Sequence, residues 1–458
     1  MSQRYPGGWG AALLLALLPA LAGAAPAAEP NTQVPKGSTH YAATGFPDRI
    51  VASPAQAAAH GFAVAWRTDA SVSQPALELV VAGDSPDLGA PKVFKAGTQV
   101  LKTENGVAHH HRVDIDGLAP DTLYAYRVQG KNTWGSWNHF RTAAPAGTPL
   151  TLLYFGDTQN KNLSLVSRVI RQAWRSTPDA RLALFAGDLV SGKDGVDDSE
   201  WAEWFEAGRW MLEGTAVAPA PGNHEYHEEA EDTPQARRVL GNHWPVTFAL
   251  PKNGPAATAQ TTYWFDHQDV RVAVIDGTSA LDLGTGAAQA AWLDKVLADN
   301  PHPWSIVLIH QPFYSPRAER DNAKLVEQVL PVIRRHKVDL VLQGHDHTYG
   351  RRGDADATTT PVFIVSVAGP KQYRLSDYAR RTMQPTGEDT QLYQVLKIDP
   401  QHLSYESRTA TGRLYDAFEV VRDADGGKRL LERSDGRIVP RDCARAVSPK
   451  GREDRCWE

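Results

Sequence analysis

Four short apolar segments in this chain of 458 residues each lead directly into an aspartate or a histidine. The segments cover residues 150–155, 182–186, 306–309 and 338–342, and the side chains that follow them are Asp157, Asp188, His310 and His345. Apolar residues at helical spacing lie between them, as at 163–173, 290–297 and 325–335. This alternation predicts an α/β domain over residues 148–435. Side chains at the carboxyl ends of its strands are expected to meet in one crevice.

A different pattern precedes this domain. Residues 62–66 and 123–128 alternate with a period of two, which is typical of strands with one buried face. Residues 46–146 are therefore predicted to form a β-sandwich. The segment 117–128 resembles the tyrosine-corner strand of fibronectin type III domains, and Trp66 resembles the core tryptophan of that fold.

The first 24 residues are interpreted as a secretory signal peptide. Arg4 supplies a positive charge, residues 11–22 form an apolar stretch, and residues 22–24 form a small-residue cleavage site. The apolar stretch is too short to span a bilayer, which needs about 20 residues. We therefore expect a secreted or periplasmic protein without a transmembrane segment.

The remaining flanking segments are polar. Residues 25–45 are rich in Pro, Ala, Ser and Thr and are interpreted as a linker. The tail at 436–458 holds both cysteines of the chain, Cys443 and Cys456, which are expected to pair in an oxidising compartment and to remain thiols in a reducing one. The net charge of -5 and the lack of a Lys/Arg-rich run indicate no nucleic-acid-binding surface.

The polar residues near the strand ends form a set of hard oxygen and imidazole donors without a thiolate. The set is Asp157, Gln159, Asp188, Asn223, His310, His345 and His347. Such donors suit Mn, Fe or Zn. One carboxylate can bridge two cations about 3.5–4 Å apart, and such a pair generates a nucleophile that can attack an anionic phosphate ester. Each of these residues, taken with its neighbours alone, is weak evidence for a metal site. Residues 222–225 are the most specific segment, because Asn is a rare ligand.

Together, five blocks resemble those of the calcineurin-like metallophosphoesterases, and within them the purple acid phosphatase branch. The blocks are residues 156–157, 187–188, 222–225, 309–314 and 344–351. A fibronectin-like domain ahead of the catalytic domain is also the arrangement of that branch, and the resemblance covers residues 46–420. It implies a catalytic domain of two mixed sheets flanked by helices, with two bound metal ions drawn from Fe, Mn, Zn and Ca.

The resemblance also implies a role for each residue. Asp188 would bridge the two ions. The other ligands would divide into Asp157 and His347 on the first ion, and Asn223, His310 and His345 on the second. His224 would lie over the phosphate and protonate the leaving oxygen, which requires a partly exposed imidazole. The implied reaction is the hydrolysis of phosphomonoesters by attack of a metal-bridging hydroxide.

Two positions depart from the pattern of the family. Ser191 stands where purple acid phosphatases have the tyrosine whose phenolate binds ferric iron, and Gln159 stands where the other relatives have a histidine. The first ion therefore lacks both ligands, and Gln159 becomes its candidate third ligand through the carbonyl oxygen. We expect a colourless protein without a visible charge-transfer band.

Tyr314, Tyr349 and Arg351 lie next to the ligand positions and are, with His224, the candidate substrate-binding residues. The expected partner is a small-molecule phosphate ester, since the planar guanidinium of arginine suits phosphate oxygens. Two alternatives stay open. One is a phosphodiesterase on the same scaffold, and the other is a non-catalytic metal- or phosphate-binding surface protein with a degenerate first site.

Overall fold

The computed structural model describes Met1 and residues 30–192, 196–230, 232–317, 320–353, 360–423 and 426–443. Residues 2–24 of the expected signal peptide lie outside this part of the chain, and so does Cys456. The signal peptide and the Cys443–Cys456 disulfide therefore stay predictions. Within the described residues, no helix is both long enough and apolar enough to cross a membrane.

The N-terminal part folds as two antiparallel sheets. The first has the strand order Asp48–Pro54, Phe62–Thr68, Gly106–Ile115 and Gly97–Thr103. The second has the order Lys92–Lys95, Ala76–Val81, Leu123–Gly130 and Thr133–Trp134, with Asn138–Arg141 also paired to Leu123–Gly130. Trp66 is buried in the core. The hydroxyl of Tyr124 accepts a hydrogen bond from the backbone N–H of Ala119 at 3.0 Å, which is the contact of a tyrosine corner.

The second part contains two seven-stranded mixed sheets. One has the order Ala216–Pro219, Leu182–Phe185, Leu150–Phe155, Leu392–Ile398, His402–Thr409, Leu414–Arg422 and Lys428–Glu432, and its first three strands are parallel. The other has the order Tyr263–His267, Val270–Ile275, Trp304–Ile309, Leu340–Gln343, Val362–Val365, Tyr349–Gly353 and Thr386–Gly387, and its second to fifth strands are parallel. The predicted fold class, a β-sandwich followed by an α/β domain with mixed sheets, is confirmed.

Helices and one ribbon complete the second part. The helices are Ser167–Ser176, Asp198–Gly214, Trp244–Thr247, Gly277–Asp282, Gly286–Ala298, Ala323–Gln328, Leu330–Arg335 and Asp377–Thr382, and the ribbon pairs Tyr226–Glu229 with Arg237–Leu240. The helix predicted over 325–335 is present, but it is interrupted at Val329, which separates Ala323–Gln328 from Leu330–Arg335. Pro331 explains the break, since proline has no N–H to donate and its ring clashes with the preceding turn.

The parallel strands of the second sheet are buried on both faces. In Trp304–Ile309, the side chains of Ile306 and Leu308 join the core that the two sheets share, whereas Val307 and Ile309 pack with the helices. Strands covered on both faces appear in a sequence as continuous apolar runs. This explains why each run ends abruptly in polar residues, which begin only where the strand leaves the core.

A buried ion cluster ties the sandwich to the α/β domain at the start of helix Asp198–Gly214. The guanidinium of Arg49 donates to the two carboxylate oxygens of Asp198 at 2.5 and 2.9 Å. The same carboxylate lies 3.5 Å from the guanidinium of Arg67 and 3.1 Å from the imidazole of His243. All four side chains are almost completely buried, so each charge depends on its partners.

The chain ahead of the sandwich packs on the same helix, although residues 25–45 were expected to be a linker. The backbone N–H groups of Gln33 and Val34 donate to the Glu203 carboxylate at 2.5 and 3.0 Å. The hydroxyl of Tyr41, which is fully buried, donates to it at 2.9 Å. One helix therefore receives contacts from the N-terminal segment and from the sandwich.

We predict that the substitution Asp198→Asn lowers the free energy of unfolding by about 3–5 kcal/mol, because it leaves buried cationic groups without their carboxylate. Urea denaturation of the two proteins measures the difference. Asp114→Asn is the matched control, since Asp114 forms an exposed ion pair with Arg112 that contributes about 0–1 kcal/mol. Equal losses for the two variants would contradict a structural role for the buried cluster.

Candidate metal centre

The polar strand-end residues of both sheets come together at one site. Asp157 and Asp188 follow the strands Leu150–Phe155 and Leu182–Phe185, and Asn223 follows Ala216–Pro219. From the second sheet, His310 follows Trp304–Ile309, and His345 and His347 follow Leu340–Gln343. Each of these strands is parallel to a neighbour in its sheet, so their carboxyl ends share an edge.

The first group of donor atoms comes from Asp157, Asp188 and His347, whose ligand-type atoms all lie within 4.8 Å of one another. The distance from Nε2 of His347 to Oδ1 of Asp157 is 3.6 Å. Gln159 belongs to this group, because its Nε2 lies 3.0 Å from Oδ2 of Asp188 and 2.9 Å from Nε2 of His347. Within the described residues, Oε1 of Gln159 is buried without a hydrogen-bond partner.

The second group comes from Asp188, His310 and His345, whose ligand-type atoms also lie within 4.8 Å of one another. Nε2 of His310 is 3.2 Å from Oδ2 of Asp188 and 3.3 Å from Oδ1 of Asn223. Nδ1 of His345 is 3.0 Å from the same His310 nitrogen. Asp188 is therefore the carboxylate that the two groups share.

Backbone carbonyls orient two of the imidazoles. Nδ1 of His310 lies 2.6 Å from the oxygen of Ala186, and Nδ1 of His347 lies 3.0 Å from the oxygen of Lys371. A carbonyl oxygen can only accept, so each Nδ1 carries a proton. This leaves Nε2 of both rings directed at the carboxylates, as in metal-binding histidines.

The loops that carry these side chains require unusual backbone geometry. Asp188, His345 and His347 all have positive φ, at 49°, 75° and 47°, a conformation that non-glycine residues adopt at a cost of about 1–3 kcal/mol. A Cβ on Gly222 would collide with the carboxylate of Asp188, and one on Gly344 with that of Asp157. The glycines are thus required by the close approach of the carboxylates.

Glu225 holds the Asp188 loop in place, and the sequence reasoning did not single it out. Its fully buried carboxylate accepts hydrogen bonds from the backbone N–H groups of Asp188, Leu189 and Gly222 at 2.9, 2.8 and 2.6 Å. Its position two residues after Asn223 was the available signal.

The charges of the site are strongly coupled. Burial raises the pKa of Asp157 to about 8. Burial also disfavours the charged form of His310, but the Asp188 carboxylate outweighs it and raises the pKa of His310 to about 9. The pKa of Asp188 is held well below its usual range, because the positive charge of His310 overcomes the effect of burial. The site therefore stabilises positive charge beside Asp188, which suits a cation.

The structure corrects two of the predicted substrate-binding residues. Tyr349 and Arg351 are almost completely buried, and both donate to the Asp416 carboxylate, at 2.6 and 2.7 Å. The ring of Tyr314 packs on Phe363, and its hydroxyl accepts a hydrogen bond from Arg334 at 2.8 Å. The contacts with Asp416, rather than a substrate, occupy the polar groups of Tyr349 and Arg351.

His224 is partly exposed, and its backbone N–H donates to Oδ1 of Asp188 at 2.9 Å. Its place over the phosphate stays a prediction. Ser191, in contrast, is turned into a separate network. Its hydroxyl donates to Glu200 at 3.0 Å and accepts from the amides of Asn31 and Asn160 at 2.9 and 3.0 Å.

One loop of the site was missed by the sequence reasoning. Residues 369–373 follow the strand Val362–Val365 and lie against the first donor group. The N–H of Gly369 donates to the carbonyl of Asp157 at 2.7 Å, and that of Tyr373 to the carbonyl of His347 at 3.1 Å. The Gly-Pro pair shortly after an apolar strand was the signal that could have found it.

Comparisons with known proteins fit this geometry. Residues 150–349 match the family model described as Calcineurin-like phosphoesterase, and residues 47–142 match Purple acid Phosphatase, N-terminal domain. An uncharacterized protein of Mycobacterium tuberculosis is 27% identical over 323 residues, covering 63% of this chain and 59% of that protein. Purple acid phosphatase 15 of Arabidopsis thaliana is 27% identical over 287 residues, covering 55% of this chain and 51% of that protein. The chain thus spans between half and three fifths of these relatives.

Solved structures show the same fold. The purple acid phosphatase PPD1 from yellow lupin (Lupinus luteus) seeds superposes with a TM-score of 0.67 at 19% identity, covering 83% of this chain and 75% of that one. The structure of PhoD superposes with a TM-score of 0.62 at 11% identity, covering 87% and 95%. The resemblance seen in the sequence is confirmed: residues 150–349 form a calcineurin-like phosphoesterase domain, and residues 47–142 ahead of it form a purple acid phosphatase N-terminal domain.

Proposed function

We propose that the chain is a hydrolase that cleaves phosphate monoesters at a centre of two metal ions. The observation that carries the proposal is the pair of donor groups that share Asp188. A pair of bound metal ions activates water as the nucleophile and neutralises the charge of the phosphate. The matching family and the lupin phosphatase fold support this reaction class.

Each proposed metal ion is held by one of the two donor groups. The first ion is assigned to Asp157, Gln159, Asp188 and His347, and the second to Asp188, Asn223, His310 and His345. Oxygen and imidazole donors of this kind suit Fe, Mn or Zn, and the oxygen-rich first group also suits Ca. A relative from Arabidopsis thaliana is described as an Fe(3+)-Zn(2+) purple acid phosphatase, which supports a mixed pair without fixing the metals of this chain.

Gln159 is the distinctive ligand of this assignment. Half a turn of its amide would place the unpartnered oxygen, instead of the nitrogen, beside Asp188 and His347. A carbonyl oxygen there is a neutral ligand, whereas the tyrosine of coloured relatives supplies a phenolate. The hydroxyl of Ser191 donates a hydrogen bond to Glu200, so Ser191 does not take over the role of that phenolate as a metal ligand.

His224 is assigned the protonation of the leaving oxygen and contact with the phosphate. The residue is partly exposed, and its backbone hydrogen bond to Asp188 places it next to the centre, as a general acid requires. Asp188 would hold both cations and would not itself exchange a proton. Export from the cell, which the N-terminal sequence predicts, is part of the same proposal.

Glu225 is proposed to position Asp188 for metal binding, since its three backbone hydrogen bonds fix the loop that carries the shared ligand. We expect Glu225→Gln to weaken metal binding about 10–100-fold, because the amide nitrogen would face backbone N–H groups. Competition against a chelator measures the affinity. Glu229→Gln is the matched control, as Glu229 lies on the exposed ribbon and pairs with Arg237. Equal affinities in the two variants would rule out the positioning role.

The reaction itself is tested by release of nitrophenol from mono- and bis-nitrophenyl phosphate. We expect faster release from the monoester, and a roughly 100-fold or larger loss of kcat in His224→Asn without loss of bound metal, as for removal of a general acid. His227→Asn, on the neighbouring ribbon, is the control and should retain activity. Faster release from the diester would identify a phosphodiesterase, and a metal-loaded protein inactive on both would refute the proposal.

A further inference from the structure

A lysine and a tyrosine project from the loop 369–373 beside the first donor group. The carbonyl of Lys371 accepts from the imidazole of His347 at 3.0 Å. The ring of Tyr373 packs against the same imidazole, with 4.7 Å between ring centres. Lys371 and Tyr373 are both partly exposed, so their side chains lie at the rim of the site rather than in the core.

Two cations lie over the ring of Tyr373. The guanidinium carbon of Arg317 lies 4.0 Å from the centre of the Tyr373 ring, and the ammonium nitrogen of Lys371 lies 5.4 Å from it. The backbone of Arg317 forms a β-bridge with Leu375, which holds the main chain of Arg317 next to the loop 369–373. Attraction to an aromatic ring lowers the cost of holding a cation but does not neutralise its charge.

Neither cation forms a direct ion pair with a carboxylate in the part of the chain that the structure describes. The carboxylates whose charges act on them have closer contacts, Asp157 in the first donor group and Asp346 with Arg320 at 3.1 Å. The arginine suggested by the sequence, Arg351, is in contrast paired with Asp416 and buried. Because no carboxylate is paired directly with either of them, both positive charges are available to an anion.

We propose that Arg317, Lys371 and Tyr373 form a subsite for a second anionic group of the substrate, a phosphate or a carboxylate. The inference rests on the proposed function, since the reacting phosphate would occupy the metal centre and the second group the rim. The planar guanidinium of Arg317 can donate two parallel hydrogen bonds to a phosphate or a carboxylate, and the ammonium group of Lys371 adds a positive charge. The preferred substrates are then phosphate esters that carry another negative charge.

Two substrates with the same reacting group test the subsite. Glycerol 3-phosphate and 3-phosphoglycerate are both phosphate esters of a three-carbon chain, and the second carries a carboxylate in place of a hydroxymethyl group. We expect the native protein to have the higher kcat/KM for 3-phosphoglycerate. In Arg317→Gln and in Lys371→Gln, the ratio of the two kcat/KM values should fall about tenfold, the size expected for one charge-assisted hydrogen bond.

The control variant is Lys397→Gln, which removes one exposed positive charge from the strand Leu392–Ile398 and should leave the ratio unchanged. Thermal unfolding of each variant checks that the fold is retained. An equal loss on both substrates would show that the two cations bind the reacting phosphate, and an unchanged ratio would show that they bind no substrate anion. Either result overturns the proposal.

The proposal of a subsite can also be tested separately from the proposed reaction. If the metal-loaded native protein releases phosphate from neither compound, the proposed function fails, and calorimetric titration with the two compounds then tests the subsite alone. Tighter binding of 3-phosphoglycerate that is lost in Arg317→Gln and Lys371→Gln would support it. Equal affinities of the native protein for the two compounds would contradict it.

Discussion

The site depends on the two oxygens of one buried carboxylate. Oδ2 of Asp188 lies 3.0 Å from the Gln159 amide and 3.2 Å from the His310 imidazole, and Oδ1 accepts the backbone N–H of His224 at 2.9 Å. A carboxylate without water around it must be matched by cations or hydrogen-bond donors. The rest of the site supplies both, since Glu225 fixes the backbone behind Asp188 and the absent side chain of Gly222 makes room for its oxygens.

The loop behind Asp188 also connects the site to the remainder of the molecule. The carboxylate of Glu200 accepts from the backbone N–H groups of Ser191 and Gly192 at 2.7 and 2.8 Å. Glu200 lies in the first turn of the helix whose Asp198 binds Arg49 of the sandwich. The sandwich therefore stabilises the start of the helix through Arg49 and Asp198. The helix in turn holds the loop behind Asp188 through Glu200. This gives a physical reason for an N-terminal domain that contributes no ligand.

The sequence predicted those parts of the fold and the site in which a local residue pattern has one structural explanation. Apolar runs ending in Asp or His require strands buried on both faces, so the architecture and the position of Asp157, Asp188 and His310 followed directly. The burial of a charged side chain was not predictable where its ion-pair partner is distant in sequence. Arg351 appeared suited to phosphate, but Asp416, 65 residues further along, binds it in the core.

The same limit explains the roles of Ser191 and Lys371. The family resemblance implied that Ser191 stands in place of a tyrosine, but it did not indicate that Asn31 of the expected linker would hydrogen-bond to the Ser191 hydroxyl. Nothing local in residues 369–373 indicated that the carbonyl of Lys371 would orient His347, or that its ammonium group would lie with Arg317 over one tyrosine. Both roles arise from contacts between loops of different strands.

The central claim is that Asp188 is shared between two cations, one in each donor group. The most direct test is the anomalous diffraction of crystals of the metal-loaded protein, combined with metal analysis of the same preparation. The account predicts two ions per chain, about 3.5–4 Å apart on either side of the Asp188 carboxylate. A single ion, or two ions of which one makes no contact with Asp188, would contradict it.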